Sequence, residues 1–288
     1  MDSPAARLSA RLTPDRPAIA MSAHNALSAK IAAEAGFDAI WGSGFELSAA
    51  HAVPDASILS WETHLAAMRS MVEAQPEPVV ADIDTGGGNA VNVAYLVPRY
   101  AAAGVAAVVM EDKTFPKDSS LRPGGRQELL RIEEFQGKIE AARTPSGPLV
   151  IARTEALIAG LGQAEALRRA EAYAEAGAEA VLIHSKRTTP EEILAFCHAW
   201  PGRVPLVLVP TAYPQLSFAE VAALGKVGLI ICGNHAIRAA VAAMRQTFAA
   251  ILAEGGLAGV EGRIAPVADI FALQGDDRMR EIERRFLR

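Results

Sequence analysis

Cysteine is nearly missing from the chain. Only Cys197 and Cys232 occur among 288 residues, far apart and without CxxC spacing, which excludes a disulfide framework, a zinc knuckle and a redox pair and predicts buried free thiols. An excess of basic charge is also missing. With 28 basic against 33 acidic residues, a net charge of −5 and no cluster of Lys and Arg, the chain lacks the electrostatic footprint that nucleic acid or anionic lipid requires. No run is apolar enough for a bilayer: the most apolar stretch, 204–219, is short and broken by Pro205, Pro210 and Pro214. The opening MDSPAARLSARLTPDR has no apolar core of a secretory signal. Nucleotide signatures are incomplete, because Gly42-Ser43-Gly44 lacks the third glycine of a dinucleotide fingerprint and Gly86-Gly87-Gly88 lacks the Lys-Ser/Thr of a P-loop. The expectation is a cytoplasmic protein that acts on a small molecule, with no nucleic-acid or membrane partner.

What is present is a large apolar content, 51% hydrophobic against 21% charged, which excludes a disordered chain. Runs rich in Val and Ile recur at 18–24, 38–44, 78–84, 106–113, 149–155, 180–186, 205–211 and 227–234, separated by Ala-rich helical stretches such as 26–35, 92–103 and 164–176. Alternating strands and helices predict parallel strands with crossover helices. A phrase also repeats before every second strand: EAGFDAI, AAGVAAV, EAGAEAV and, more loosely, ALGKVGL. Its glycines, Gly36, Gly104, Gly177 and Gly225, read as left-handed helix caps. Eight units of about 36 residues close naturally into a (β/α)8 barrel, with a doubly wound open sheet as the alternative. The barrel is expected to be one domain over 1–288, with an N-terminal extension at 1–17 and a C-terminal helical tail at 267–288 whose phrase DRMREIERRFL suits a docking helix.

A barrel places its site at the C-terminal ends of its strands, and the polar residues obey that rule. Trp41 and Ser43 end the second run, Asp82 and Asp84 the third, Glu111 and Lys113 the fourth, Arg153 and Glu155 the fifth, His184 and Lys186 the sixth, Thr211 the seventh and Asn234 the eighth. Asp82 and Asp84, two apart on a strand, are expected to share the inward face. Three carboxylates at one mouth repel one another. A hard divalent ion, magnesium or manganese, would resolve this, and so would ion pairs with Arg153, Lys113 and Lys186. The two lysines also admit a Schiff-base aldolase. Arg153 needs a carboxylate or a phosphate-like group as partner, and His184 could serve the same anion. The connection 114–131, rich in Pro, Gly, Ser and charge, reads as a lid or a plain exposed loop.

At these residues a resemblance emerges. The phrases AHNALSAKIAAEAGFDAIWGSGFELSA, ADIDTGGGNAVNV, MEDKTFPKDSSL, IARTEALIAGLG, LIHSK and GNHAIRAAV together resemble the phosphoenolpyruvate mutase and isocitrate lyase superfamily, from about residue 18 to the end. VPDASILS, RQELLRIEEFQGKI and VPLVLVPTAYPQL are most similar to its branch that cleaves the carbon–phosphorus bond of phosphonopyruvate to pyruvate and phosphate. The resemblance implies magnesium bound directly by Asp82, with Asp55, Asp84 and Glu111 holding it largely through water. It implies backbone donors to the substrate carboxylate at Ser43 and Gly44, with Trp41 and Phe45 beside it, Arg153 and His184 at the phosphonate, and Lys117 and Ser119 on the lid. A homotetramer, a dimer of dimers with the tail packed on a neighbour, is implied too. The lyases of this group carry a lid cysteine that this chain lacks, and the mutases an Asn where it has Ser119. A lid hydroxyl fits the hydrolytic branch, whose usual residue is Thr. Gly87 and Thr154 depart from an aromatic and an aliphatic residue. The other readings are a mutase, a carbon–carbon hydrolase or lyase for oxaloacetate-like acids, and a non-catalytic barrel that binds an organic acid.

Overall fold

The computed structural model describes residues 2–120, 122 and 124–288. Met1, of the expected N-terminal extension, and Leu121 and Pro123, of the expected lid, lie outside the described residues. All eight expected strands form: β1 (Ala18–Ala23), β2 (Ala39–Gly42), β3 (Val79–Asp82), β4 (Ala107–Glu111), β5 (Leu149–Thr154), β6 (Ala180–Ile183), β7 (Leu206–Leu208) and β8 (Val227–Cys232). Each pairs in parallel with the next and β1 pairs with β8, so the sheet is a closed barrel and the open-sheet alternative falls. Each strand is shorter than its apolar run, because the polar residues at the end of the run have already turned into the following loop.

Local chemistry fixes the units. Asn25, Asn89 and Ser217 form capping boxes at the starts of the helices Ala26–Glu34, Ala90–Ala102 and Phe218–Ala223, satisfying amides that a helix start leaves unpaired. At the other ends, Gly36, Gly104, Gly177 and Gly225 have φ of 90°, 83°, 98° and 62°, the left-handed conformation that the repeated phrase requires.

Alternation along the strands sorts the core. One set of side chains, including Ala20, Val80, Val109, Ile151, Leu182 and Ile231, fills the barrel, with Leu8 and Leu12 of the N-terminal segment in the same cluster. The other set meets the surrounding helices in two clusters, around Met68, Tyr100 and Phe135 and around Phe196, Trp200 and Val221. Each buried Leu, Ile or Phe contributes about 1.5–3 kcal/mol of transfer free energy. Two steps beyond the interior apolar layer, the same inward row presents Asp82, Glu111, Arg153 and His184.

The chain falls into two compact units, the first ending at Ala236 and the second running Ile237–Arg288. The second contains most of the helix His235–Glu254, then Ala258–Glu261, Val267–Gln274 and Asp276–Phe286. Its Phe271, Met279, Ile282 and Phe286 are exposed. Sequence inspection singled out 204–219 as the most apolar stretch, but the one described helix long and apolar enough to cross a bilayer is His235–Glu254, with a mean hydropathy of 1.3. Arg238 and Arg245 lie along it, and Arg245 sits at mid-helix, where insertion costs about 2.5–3.5 kcal/mol.

Candidate active site

Strand register brings the charged groups together. On neighbouring strands Glu111 pairs with Arg153 and Asp82 with Val109, and partners in a parallel sheet point to the same side. A single cavity at the C-terminal rim is lined by Trp41, Ser43, Phe45, Asp55, Asp82, Glu111, Lys117, Ser119, Ser120, Arg153, His184, Val209, Thr211, Gly233 and Asn234. Ten of the twelve residues expected at the site are among them, and Gly44 and Asp84 border an adjoining cavity that shares Asp82.

Asp84 arrives by a route other than the expected one. It lies beyond the end of β3, in a left-handed turn at φ 51°, so strand alternation does not place it. The turn is braced by the Asp84 amide donating to Asp82 Oδ1 at 3.2 Å. Both carboxylates still converge: a Cβ built on Gly44 would lie 3.0 Å from Asp84 Oδ1 and 3.4 Å from Asp82 Oδ2. A side chain at 44 would therefore crowd both acids.

Ser43 also differs in detail. Its amide is spent on the Ala23 carbonyl at 3.2 Å, and its hydroxyl caps the helix Gly44–Ala50 by accepting from the Glu46 amide. The first-turn amides of Gly44 and Phe45 are the helix donors that remain beside it. The two strand-end lysines do not face the cavity. Lys113 is buried and donates to the Asp118 carbonyl at 2.9 Å and to Ser120, while Lys186 is exposed and donates to the Ile158 carbonyl at 2.8 Å. The Schiff-base reading falls with them. Cys197 and Cys232 are free thiols and neither lines the cavity.

The segment 117–120 covers the rim. Lys117 Nζ bridges Asp55 at 2.9 Å and Asp84 at 2.5 Å, and Lys117, Ser119 and Ser120 are all buried. The acids remain under-compensated. Burial lifts Asp84 to about 7 against the opposing charge of Lys117, with Asp82, Asp55 and Glu111 adding to the rise. Burial likewise raises Glu111 against Arg153 and Lys113, and Glu111 Oε1 has no hydrogen-bond partner. Lys117 is pulled down by burial, but Asp84 and Asp55 outweigh that and hold it firmly charged. Behind the acids, burial lowers His64 to about 4, so it is neutral, with Nδ1 2.8 Å from the Tyr100 hydroxyl.

Opposite the acids lies the anion-seeking half. Arg153 Nε contacts Glu155 at 2.5 Å and Glu111 at 3.4 Å, and its Nη2 lies 3.2 Å from Ser120 and 3.0 Å from His184 Nδ1. Burial lowers His184 against the pull of Glu155. Sequence reading named Glu155 as the end of the fifth run and covered Ser120 only within the connection 114–131, and gave neither a role. Period-two spacing from Arg153 to Glu155 was the available signal, since it puts both on one face of the strand end.

An acidic rim facing an arginine and a histidine is chemistry that comparison with known proteins can test. The family model for phosphoenolpyruvate phosphomutase matches residues 8–252. A phosphonopyruvate hydrolase from Variovorax sp. (strain Pal2) is 63% identical over 98% of both chains. A phosphoenolpyruvate phosphomutase from Tetrahymena pyriformis is 43% identical over 93% of this chain and 90% of its own. Among solved structures, that of a phosphonopyruvate hydrolase in complex with oxalate and magnesium superposes with a TM-score of 0.94, at 59% identity and with full coverage of both chains. Sequence, fold and rim chemistry agree, and the chain belongs to the phosphoenolpyruvate phosphomutase family.

Proposed function

We propose that this protein is a magnesium-dependent hydrolase that cleaves the carbon–phosphorus bond of 3-phosphonopyruvate to give pyruvate and phosphate. The observation that carries the reading is the division of one rim into an acidic half and an Arg153–His184 half, covered by a segment that presents the Ser119 hydroxyl and no thiol. The relatives that match over the full chain include one named for this hydrolysis and one solved with oxalate and magnesium.

The donor set fits magnesium. Its ligands are oxygens, the hard donors this ion prefers, and Glu111 Oε1 waits without a partner. Among the described residues no three acidic or imidazole groups close on a common point; we therefore assign Asp82 as the one direct ligand, with Asp55, Asp84 and Glu111 acting through water. When bound, magnesium supplies the positive charge that a developing enolate oxygen needs.

The chain's own groups do the rest. The Gly44 and Phe45 amides hold the substrate carboxylate, with Trp41 against it. Arg153 has Nε and Nη2 committed to protein partners, which leaves Nη1 for the phosphonate; His184, tied at Nδ1, has Nε2 left for the same group. Charge spread over the phosphonate oxygens is thereby met by fixed donors that need no reorganisation. Ser119 places the water whose oxygen bonds to phosphorus. The electron pair of the broken bond stays on the methylene carbon, which takes up a proton to become pyruvate. Lys117, anchored to Asp55 and Asp84, keeps bulk water out during this step.

We extend the reading to a cytoplasmic homotetramer, a dimer of dimers of single-barrel chains in phosphonate catabolism. Support comes from the exposed apolar side chains of the helices Val267–Gln274 and Asp276–Phe286 and from the mid-helix Arg245, which argues against a membrane span. Phosphonopyruvate supplied with magnesium should yield pyruvate and phosphate in equal amounts, and chelation of the metal should stop both. Formation of phosphoenolpyruvate would instead assign the mutase reaction, and turnover of oxaloacetate alone a carbon–carbon hydrolase.

A further inference from the structure

The Ser120 hydroxyl is saturated. A hydroxyl has one proton to donate and two lone pairs, and here the proton goes to Glu155 Oε2 while the lone pairs receive Lys113 Nζ and Arg153 Nη2. Ser120 is 8% exposed and Glu155 and Lys113 are 0% and 1% exposed, so water cannot replace any of these partners at little cost. Glu155 is itself a hub. Its Oε1 receives Arg153 Nε at 2.5 Å and lies 3.2 Å from His184 Nδ1, and its amide donates to Asp112 Oδ1 at 2.9 Å. Asp112 is fixed in turn by Thr154, Arg169 and Tyr173.

The same cluster holds the covering segment. Lys113, which reaches Ser120, also donates to the Asp118 carbonyl, so both neighbours of Ser119 are pinned to the floor of the rim. On the far side Lys117 is pinned to Asp55 and Asp84. Ser119 hangs between the two anchors.

We propose that Ser120, Glu155 and Lys113 form a latch of positioning residues that seats the lid and orients Arg153 and His184 in one act, so that the two halves of the site assemble together. The proposal deepens the hydrolase reading and rests on it for its kinetic arm only. A group that recognises the lid also orients the arginine, and closure is therefore coupled to a productive phosphonate pocket.

The test compares Ser120→Ala, Ser120→Thr and Glu155→Gln with the parent chain in magnesium and oxalate. Trypsin can report the latch after Lys117 and after the exposed Arg126. Loss of a hydrogen bond to a charged partner corresponds to roughly 10- to 100-fold. Ser120→Ala and Glu155→Gln are expected to speed loop cleavage by about tenfold or more and to lower kcat for phosphonopyruvate by a similar factor. Oxalate affinity, which depends on the acidic half, should stay within about threefold. Ser120→Thr, which keeps the hydroxyl, should recover most of both effects. Cleavage at the parent rate in Ser120→Ala and Glu155→Gln would overturn the latch even if turnover fell, because Ser120 would then act on the substrate directly. A parent chain inert toward phosphonopyruvate would defeat the hydrolase reading, and the cleavage rates would still decide the latch.

Discussion

A carboxylate that holds its proton near neutrality must give it up to a metal ion. Asp84, lifted from 3.8 to about 7 by burial against the opposing charge of Lys117 and then by its acidic neighbours, sets the sign and window of that exchange. Between about pH 4 and 7 the metal-free native protein holds a proton that the unfolded chain has lost, so its stability falls as pH rises across this window. The limit is about 4 kcal/mol, from roughly three pH units at 1.36 kcal/mol each. Glu111, raised in the same direction, adds to the effect. At the proposed site, magnesium with its bound water would offset the penalty by neutralising the acids. Its apparent affinity in the presence of oxalate should rise by up to tenfold per pH unit through the window and flatten above about pH 7. Calorimetric titration in two buffers of different ionisation enthalpy counts the protons released, and one is expected at pH 6. The magnesium-induced rise in melting temperature should be larger at pH 8 than at pH 5.5. In Asp84→Asn the proton release should fall to what Glu111 alone contributes. Affinity independent of pH from 5 to 8, with no protons released, would refute the argument that these acids are under-compensated without metal.

Other substitutions probe separate links. Asp82→Ala should abolish phosphate release while the melting temperature stays within about 5 °C of the parent, checked by thermal denaturation. A side chain at position 87 would place its Cβ 2.5 Å from Trp61 Cζ2 at a φ of 75°. Gly87→Ala should therefore cost about 1–3 kcal/mol in urea unfolding. Trp61 thus lies where a residue at 87 would otherwise point, which accounts for the glycine. Thr154→Val removes a hydroxyl donated to Asp112 at 3.1 Å but leaves Tyr173 and Arg169 on that carboxylate; a loss of about 1 kcal/mol with kcat within about threefold is expected.

The strands were legible because closed parallel barrels need near-continuous apolar runs, and the glycine of each repeated phrase had a single conformational reason to be there. Arg153 and His184 were legible for the same reason as Ile151 and Leu182, since period-two alternation carries the inward row out to the rim. Asp84 was placed at the right rim by the wrong geometry, because a left-handed turn after β3 leaves no trace in strand periodicity. The Ser43 amide was credited to a ligand although β1 claims it, a competition visible only once β1 and β2 are paired. Lys186 shares its strand-end position with Lys113, yet one is exposed and the other buried, and spacing alone does not distinguish them. The latch was hidden for a deeper reason. Ser120 and Glu155 are 35 residues apart, and only the register of β4 against β5 brings the loop that follows one strand over the end of the other.

The most direct measurement is phosphorus NMR of 3-phosphonopyruvate incubated with the protein and magnesium. The phosphonate resonance should give way to inorganic phosphate alone, in step with pyruvate and only while metal is present. A phosphate-ester resonance of phosphoenolpyruvate, or a phosphonate signal that persists unchanged, would contradict the account.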